Sequence, residues 1–201
     1  MLIVSATLIR VKQHNERCRD CKLTVSNMLA GLFGKVQDNW DLNLPCRLAD
    51  YINTDLADTL ETVHESLQKH RGFNQFVRSK KLPRVDYFIP DQNLIVEFDE
   101  SQHFTKPRDI ALSHYPQGKD YGFNVEKWRE LCQKLDKRDN DPPYRDEQRA
   151  WYDTLRDITP QLLGCKQTVR LYSRDLVWCS LNPNNESDLL RFKQLIFQLN
   201  E

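Results

Sequence analysis

Asp86, Glu97 and Asp99 are the residues whose types and spacing most directly suggest chemistry in this chain. They lie in the stretch Arg84-Val-Asp-Tyr-Phe-Ile-Pro-Asp-Gln-Asn-Leu-Ile-Val-Glu-Phe-Asp-Glu-Ser-Gln-His-Phe104. Residues 90–93 have turn composition, and both flanks are rich in β-branched and aromatic residues, so the stretch predicts a β-hairpin. If Ile89 pairs with Leu94, Asp86 falls opposite Glu97. Strand side chains alternate faces. Val85, Tyr87, Ile89, Leu94, Val96 and Phe98 then share an apolar face, and the three acids share the other with Phe88 and Ile95. Like charges set opposite one another destabilise a hairpin, so the acidic face calls for a compensating cation. Carboxylate oxygens select a hard ion such as Mg²⁺, with Mn²⁺ as a substitute, and such an ion keeps waters and leaves room for a phosphate.

The flanking residues suit the same chemistry. Gln102 and His103 follow the acids directly, and a histidine can act as general acid or base near neutral pH. Lys106 and Arg108 come next and could contact phosphate. Lys81 and Arg84, with Arg78 and Lys80, form a basic cluster just before the hairpin, readable as a phosphate-contacting or a solvated loop. Near the start, His14, Cys18 and Cys21 have the spacing of half a zinc site. No second pair at ligand spacing lies nearby, although Cys46 could join from a distance, so ordinary thiols are the expectation for Cys18 and Cys21 over zinc or a redox pair.

The elements that must position these groups come from periodicity. Residues 54–70 predict a helix, with Leu56, Leu60, Val63 and Leu67 at three-to-four spacing and Gly72 after its end. Residues 73–78 predict a first strand. Residues 106–121 read as a loop with a helical turn at 108–114, and 125–137 as a helix. Residues 144–163 predict an amphipathic helix with Trp151, Leu155, Ile158 and Leu162 inward, closed by Gly164. Residues 168–172 and 176–181 alternate as strands, and 187–199 read as a helix capped by Ser187. Residues 1–10 read as a buried strand or helix. The mixed order predicts an α/β layer fold with helices covering the sheet.

Composition narrows the class. The chain has 201 residues, 39% hydrophobic and 29% charged, and suits one globular α/β unit. No apolar run approaches the roughly 20 residues of a membrane helix. Six dispersed cysteines without a secretory signal suggest reduced thiols and a cytoplasmic setting. The formal net charge is zero, so any nucleic-acid surface must come from local clustering.

The order of elements and the acidic hairpin together resemble the PD-(D/E)XK nuclease superfamily, and within it the branch that includes the very-short-patch mismatch repair endonucleases. The carrying residues are Asp86, the turn at 90–93, and Glu97-Phe-Asp-Glu-Ser-Gln-His103, followed by Asp146-Glu-Gln-Arg149, Gly164 and Val169-Arg-Leu171. The likeness covers roughly residues 54–181. It departs from the family pattern at Asp99, where the superfamily usually has lysine, and at Glu100, where relatives favour glycine.

The resemblance implies a restriction-endonuclease-like core, a mixed sheet flanked by helices, over residues 51–201. Residues 1–50 would be an N-terminal addition packed on it, and about 106–143 a helical insertion. It implies a Mg²⁺-dependent endonuclease that hydrolyses DNA phosphodiester bonds, in repair, restriction or phage defence. Asp86, Glu97 and Asp99 would hold metal, and Gln102 and His103 would line the site. Lys81, Arg84, Lys106, Arg108 and Arg149 would contact nucleic acid, and Glu61 or Glu65 could add an acid. DNA is the expected partner before RNA, no membrane is expected, and a homodimer is compatible. The alternative is a nuclease-fold module that binds nucleic acid without cutting it.

Overall fold

A computed structural model describes residue 16 and residues 18–197. The readings of residues 1–10 and His14, and the last two residues of the helix expected over 187–199, lie outside the described residues. The hairpin expected from the sequence is present. Strands β2 (Val85–Ile89) and β3 (Leu94–Asp99) pair antiparallel, with Ile89 opposite Leu94, Phe88 opposite Ile95 and Tyr87 opposite Val96. A short 3-10 turn, Pro90–Gln92, joins them, and Asn93 takes the left-handed conformation at its end. Strand β4 (Val169–Tyr172) runs parallel to β3, with Glu97 opposite Arg170 and Asp99 opposite Tyr172. Strand β1 (Gln37–Trp40) pairs antiparallel with β2, which completes a four-stranded mixed sheet in the order β1-β2-β3-β4. The fold is α/β, a mixed sheet flanked by helices, and no described helix is long and apolar enough to cross a membrane.

The two sheet faces differ in character. Tyr87, Ile89, Leu94, Val96, Phe98, Val169 and Leu171 build an apolar core with helices α1 (Arg19–Phe33) and α6 (Glu186–Phe197). A second apolar core fills the space among helices α2 (Ala57–Arg71), α3 (Lys106–Ser113), α4 (Val125–Leu135) and α5 (Arg145–Ile158). Between that helical layer and the sheet lies a seam of buried charge. Helix α5 explains how. Trp151, Leu155 and Ile158 face the second core, while Arg149, Asp153, Arg156 and Asp157, at three-to-four spacing, form a stripe toward the sheet. Leu162, expected inward, is exposed beyond the helix end, in a 3-10 turn closed by Gly164.

Several expectations are corrected. Residues 73–78 form no strand, because Phe76 is buried against the His64 ring and its carbonyl accepts from the Gln148 amide instead of a ladder partner. The edge strand is β1, a polar segment held by pairing with β2 and by Trp40 stacked on Phe88. The expected N-terminal addition therefore supplies a helix and an edge of the sheet itself. Residues 176–181 form no strand either. Trp178 is fully buried, packs edge-on against Phe98 and Phe192, and donates to the carbonyls of Tyr172 and Ser173, which folds the segment into a 3-10 turn. The cap of α6 is Asn185, whose side chain accepts from the main-chain N–H of Ser187 and Asp188; Ser187 lies inside the helix.

The link between α3 and α4 crosses the segment that enters β4 at Gly122. Its φ is +64°, and a Cβ there would lie 2.8 Å from the Thr168 carbonyl oxygen. Gly122→Ala is expected to cost more than about 1 kcal/mol through positive φ and backbone collision. Denaturant unfolding checks this, and an unchanged midpoint would contradict so close a crossing.

Candidate active site

The acids expected on one face are positioned by the hairpin, but they divide into two environments. Asp86 and Glu97 meet one step past the Tyr87–Val96 pair. There the carboxylates replace main-chain pairing. The Asp86 N–H donates to Glu97 Oε1 at 3.3 Å, and the Phe98 N–H donates to Asp86 Oδ2 at 2.9 Å. Lys22 Nζ, reaching from α1, lies 3.2 Å from Asp86 Oδ1 and over the Phe98 ring. Arg156 Nε lies 3.6 Å from Glu97 Oε1, and its terminal nitrogens donate to Asp153 and to the carbonyls of Pro83 and Arg84.

Asp99 belongs to the seam. It is 1% exposed, and both its oxygens are engaged. Arg170 Nη1 donates to Oδ1 at 2.7 Å, and Trp128 Nε1 donates to Oδ2 at 2.7 Å. Arg170 also donates through Nε to Asp157 at 2.6 Å and through Nη2 to the Asp153 carbonyl at 3.2 Å. The three acids do not converge as expected. Among the described residues, Cys18, Cys21 and Cys179 are the one group of three histidine, cysteine or acidic side chains with ligand atoms all within 4.8 Å of one another. Asp99 is therefore corrected from metal ligand to partner of Arg170, because a cation would have to displace two short hydrogen bonds. Asp86 and Glu97 remain as a carboxylate pair that fits a hard cation.

His103 is held in the seam, beside Asp153 and Asp99. Its Nδ1 lies 2.9 Å from Asp153 Oδ2 and 3.6 Å from Asp99 Oδ1. A buried carboxylate on one ring nitrogen fixes the ring's orientation, the arrangement that suits a metal ligand or a general base. Burial opposes the imidazolium, but Asp153 and Asp99 outweigh it and raise the His103 pKa. Burial would raise Asp153, but His103 and Arg170 hold it well below the usual carboxylate range. Glu97 goes the other way. Burial pushes it up to about 7 against the pull of Arg156, and Asp86 pushes in the same direction as burial.

The other expected residues fall into distinct places. Arg108 is 1% exposed and donates to Asp157 Oδ2 at 2.5 Å and to the Tyr115 hydroxyl, so its expected phosphate contact is corrected to a core ion pair. Arg149 is half-buried and donates to the Gln102 carbonyl and to Asp139, each at 2.9 Å, so it orders the loop after β3. Gln102 donates to Glu100. Lys81 is exposed and donates to Asn43, and Arg84 is exposed. Lys106 pairs with Asp109 and lines a cavity of about 500 Å³ with His70, Arg71, Lys137 and Arg138. Glu61 and Glu65 are exposed on α2, which packs on α3 and α5, and Glu65 is spent on Lys69.

Sequence reasoning missed Lys22, Asp153, Arg156 and Arg170 as partners of the acids. The i, i+4, i+7, i+8 spacing of Arg149, Asp153, Arg156 and Asp157 was visible, but a charged stripe ordinarily marks a solvated face. No family model, curated protein or solved structure matches the chain.

Two outcomes follow from this geometry. Arg170→Leu leaves Asp99 and Asp157 buried without their shared cation and should cost about 3–5 kcal/mol. Arg170→Lys should recover little of it, because one ammonium cannot span both carboxylates. Glu97 binds a proton more readily folded than unfolded, so its contribution to stability falls as pH rises from about 4.5 to about 7. At 1.36 kcal/mol per pH unit the full effect is roughly 3 kcal/mol. Glu97→Gln should therefore gain stability relative to the native chain at pH 8 and not at pH 4. Equal effects at both values would refute the buried, uncompensated state of Glu97. His103, also raised, adds a slope of the same sign that persists in Glu97→Gln and disappears in His103→Asn.

Proposed function

We propose that the chain is a divalent-metal-dependent endonuclease of restriction-endonuclease-like fold, acting on DNA, with Asp86 and Glu97 as its metal-holding residues. The observation that carries this reading is the state of Glu97. It is 4% exposed, adjacent to a second carboxylate, and faced by a guanidinium that makes no hydrogen bond to it at 3.6 Å. A buried carboxylate beside a second acid is costly unless a cation completes the site. A hard ion bound there would supply Lewis acidity toward a phosphoryl oxygen and lower the pKa of a coordinated water.

The chain's own groups support that chemistry. Lys22 brings a positive charge to Asp86, near where a phosphate would approach, and its flexible stem lets it follow the substrate. His103, oriented by Asp153, can accept or hold a proton near neutral pH. Arg156 fixes the carbonyls of residues 83–84, at the entry to β2, where Arg84 is exposed two residues before Asp86. A separate cleft, lined by His70, Arg71, Lys106, Lys137 and Arg138 together with Asp136 and Asp146, offers further cations for a nucleic-acid backbone. On this reading residues 51–201 make the nuclease unit, residues 1–50 an addition that delivers Lys22, and about 106–143 an insertion that delivers Trp128 to Asp99.

The second reading is a nuclease-fold module that binds nucleic acid without cutting it. It is favoured by one observation: Asp99 is engaged by Arg170 and Trp128, which leaves two carboxylates and not three for an ion.

Purified protein with Mg²⁺ or Mn²⁺ and plasmid, linear or single-stranded DNA should show cleavage. Glu97→Gln and Asp86→Asn should lower the rate at least about 100-fold while keeping the fold, and Lys22→Ala should lower it less. Metal-dependent thermal stabilisation that vanishes in Glu97→Gln, without cleavage of any DNA or RNA form, would select the second reading. Neither stabilisation nor cleavage would sink both.

A further inference from the structure

A second group of ligand atoms lies on the opposite side of the hairpin from the seam. Cys18 precedes the first turn of α1, and Cys21 stands within it. Cys179 comes from the 3-10 turn Trp178–Ser180 after β4, against which α1 packs. One sulfur from each lies within 4.8 Å of the other two. The Cys21 N–H donates to the Cys18 carbonyl at 3.2 Å, which closes the Cys-x-x-Cys turn, and the Cys21 thiol interacts with the thiols of both Cys18 and Cys179. Cys21 is buried, while Cys18 and Cys179 are half-buried at the edge of the apolar core.

The number and spacing of these sulfurs separate the chemistries open to them. A disulfide joins two sulfurs at about 2.05 Å and would leave the third without a role. A tetrahedral zinc ion with Zn–S bonds of about 2.3 Å spaces its sulfurs about 3.8 Å apart, within the observed envelope. The free N–H groups and dipole of the α1 N-terminus favour negative charge on Cys18 and Cys21. A thiophilic cation is the one agent that would use all three sulfurs at once, as thiolates.

We propose that Cys18, Cys21 and Cys179 bind one Zn²⁺ ion as thiolates, with the fourth position taken by water or a further donor. Three S–H bonds are exchanged for three Zn–S bonds, and three protons leave to solvent with no change in oxidation state. The ion clamps the start of α1 to the turn after β4. Two chain segments far apart in sequence are thereby joined across the apolar core, one before β1 and one after β4. Lys22 follows Cys21 directly, so the clamp also fixes the backbone from which Lys22 reaches Asp86. The zinc site itself does not depend on the nuclease reading.

The test uses the full chain purified under reducing conditions without chelator. Elemental analysis should find about one zinc per chain. Cobalt titrated into the reduced apo chain should give thiolate-to-cobalt charge transfer and the intense visible bands of a tetrahedral site. Cys179→Ser and Cys18→Ser should each weaken metal retention at least about tenfold, whereas Cys165→Ser, outside the cluster, should retain it. If the cluster variants do not fold, the native chain still decides the matter, because chelation should release zinc, expose three thiols to reagent and lower the melting temperature. Substoichiometric zinc with no cobalt charge transfer would overturn the proposal. So would full metal retention in Cys179→Ser, or a Cys18–Cys21 disulfide in the reduced preparation.

Discussion

Arg170 is the residue on which the seam between sheet and helices depends. It stands on β4 with its side chain fully buried, and its guanidinium joins Asp99 on β3 to Asp157 and the Asp153 carbonyl on α5. A planar fork with fixed donor directions can satisfy several acceptors at once, which a lysine cannot. The sheet's second face therefore meets its helical layer through directional bonds and not only through apolar packing. Such a seam tolerates little sliding. Apolar side chains can repack against one another, but a displaced guanidinium leaves buried charges unmatched.

The charge balance of the seam explains why Glu97 stands apart. Arg108, Arg156 and Arg170 are buried with Asp99, Asp153 and Asp157, and those six groups can neutralise one another. Glu97 is the additional buried acid, and His103 is the additional group able to carry positive charge. Asp153 links them, since it binds His103 through one oxygen and Arg156 through the other, and Arg156 faces Glu97. Glu97 and His103 thus stand at the two ends of one chain of charged groups, Glu97, Arg156, Asp153 and His103.

The hairpin was legible because its signals agree. Turn composition, alternation and β propensity all set Ile89 against Leu94, and the register followed. The helices with clear apolar stripes, α2 and α5, were legible for the same reason. Strand β1 was not, because Gln37-Asp-Asn-Trp40 carries no alternation; backbone pairing with β2 and one aromatic stack make it a strand. Residues 176–181 carried alternation without being a strand, because burying Trp178 and satisfying its indole N–H against two carbonyls outweighs a pattern of period two. The acids' partners were hidden for a different reason. Sequence spacing shows that Asp153 and Arg156 share a helix face, but not that the face opposes Glu97 and Asp99, which depends on how α5 lies on the sheet.

Asp99 occupies the position where the wider superfamily that the chain resembles usually has lysine, and its surroundings give a physical reason. A cation there would face Arg170 and the indole N–H of Trp128, so repulsion and an unmatched donor would replace two short hydrogen bonds. With Arg170 on the neighbouring strand, an acid fits position 99 and a lysine does not. Positive charge for the acid pair must then arrive by other routes, and two are present. Arg156 is nearly buried and tied to two main-chain carbonyls, so it is a fixed charge. Lys22 is of the opposite kind. The Tyr87 hydroxyl donates to its carbonyl at 2.9 Å and anchors the backbone, while its side chain is 42% exposed and held at its tip by Asp86. On the proposed nuclease reading, an ammonium on this anchored backbone would pair with Asp86 and turn toward a substrate phosphate. On that reading the cation that β3 lacks would come from α1, and the chemistry of the hairpin would rest on how firmly that helix is held.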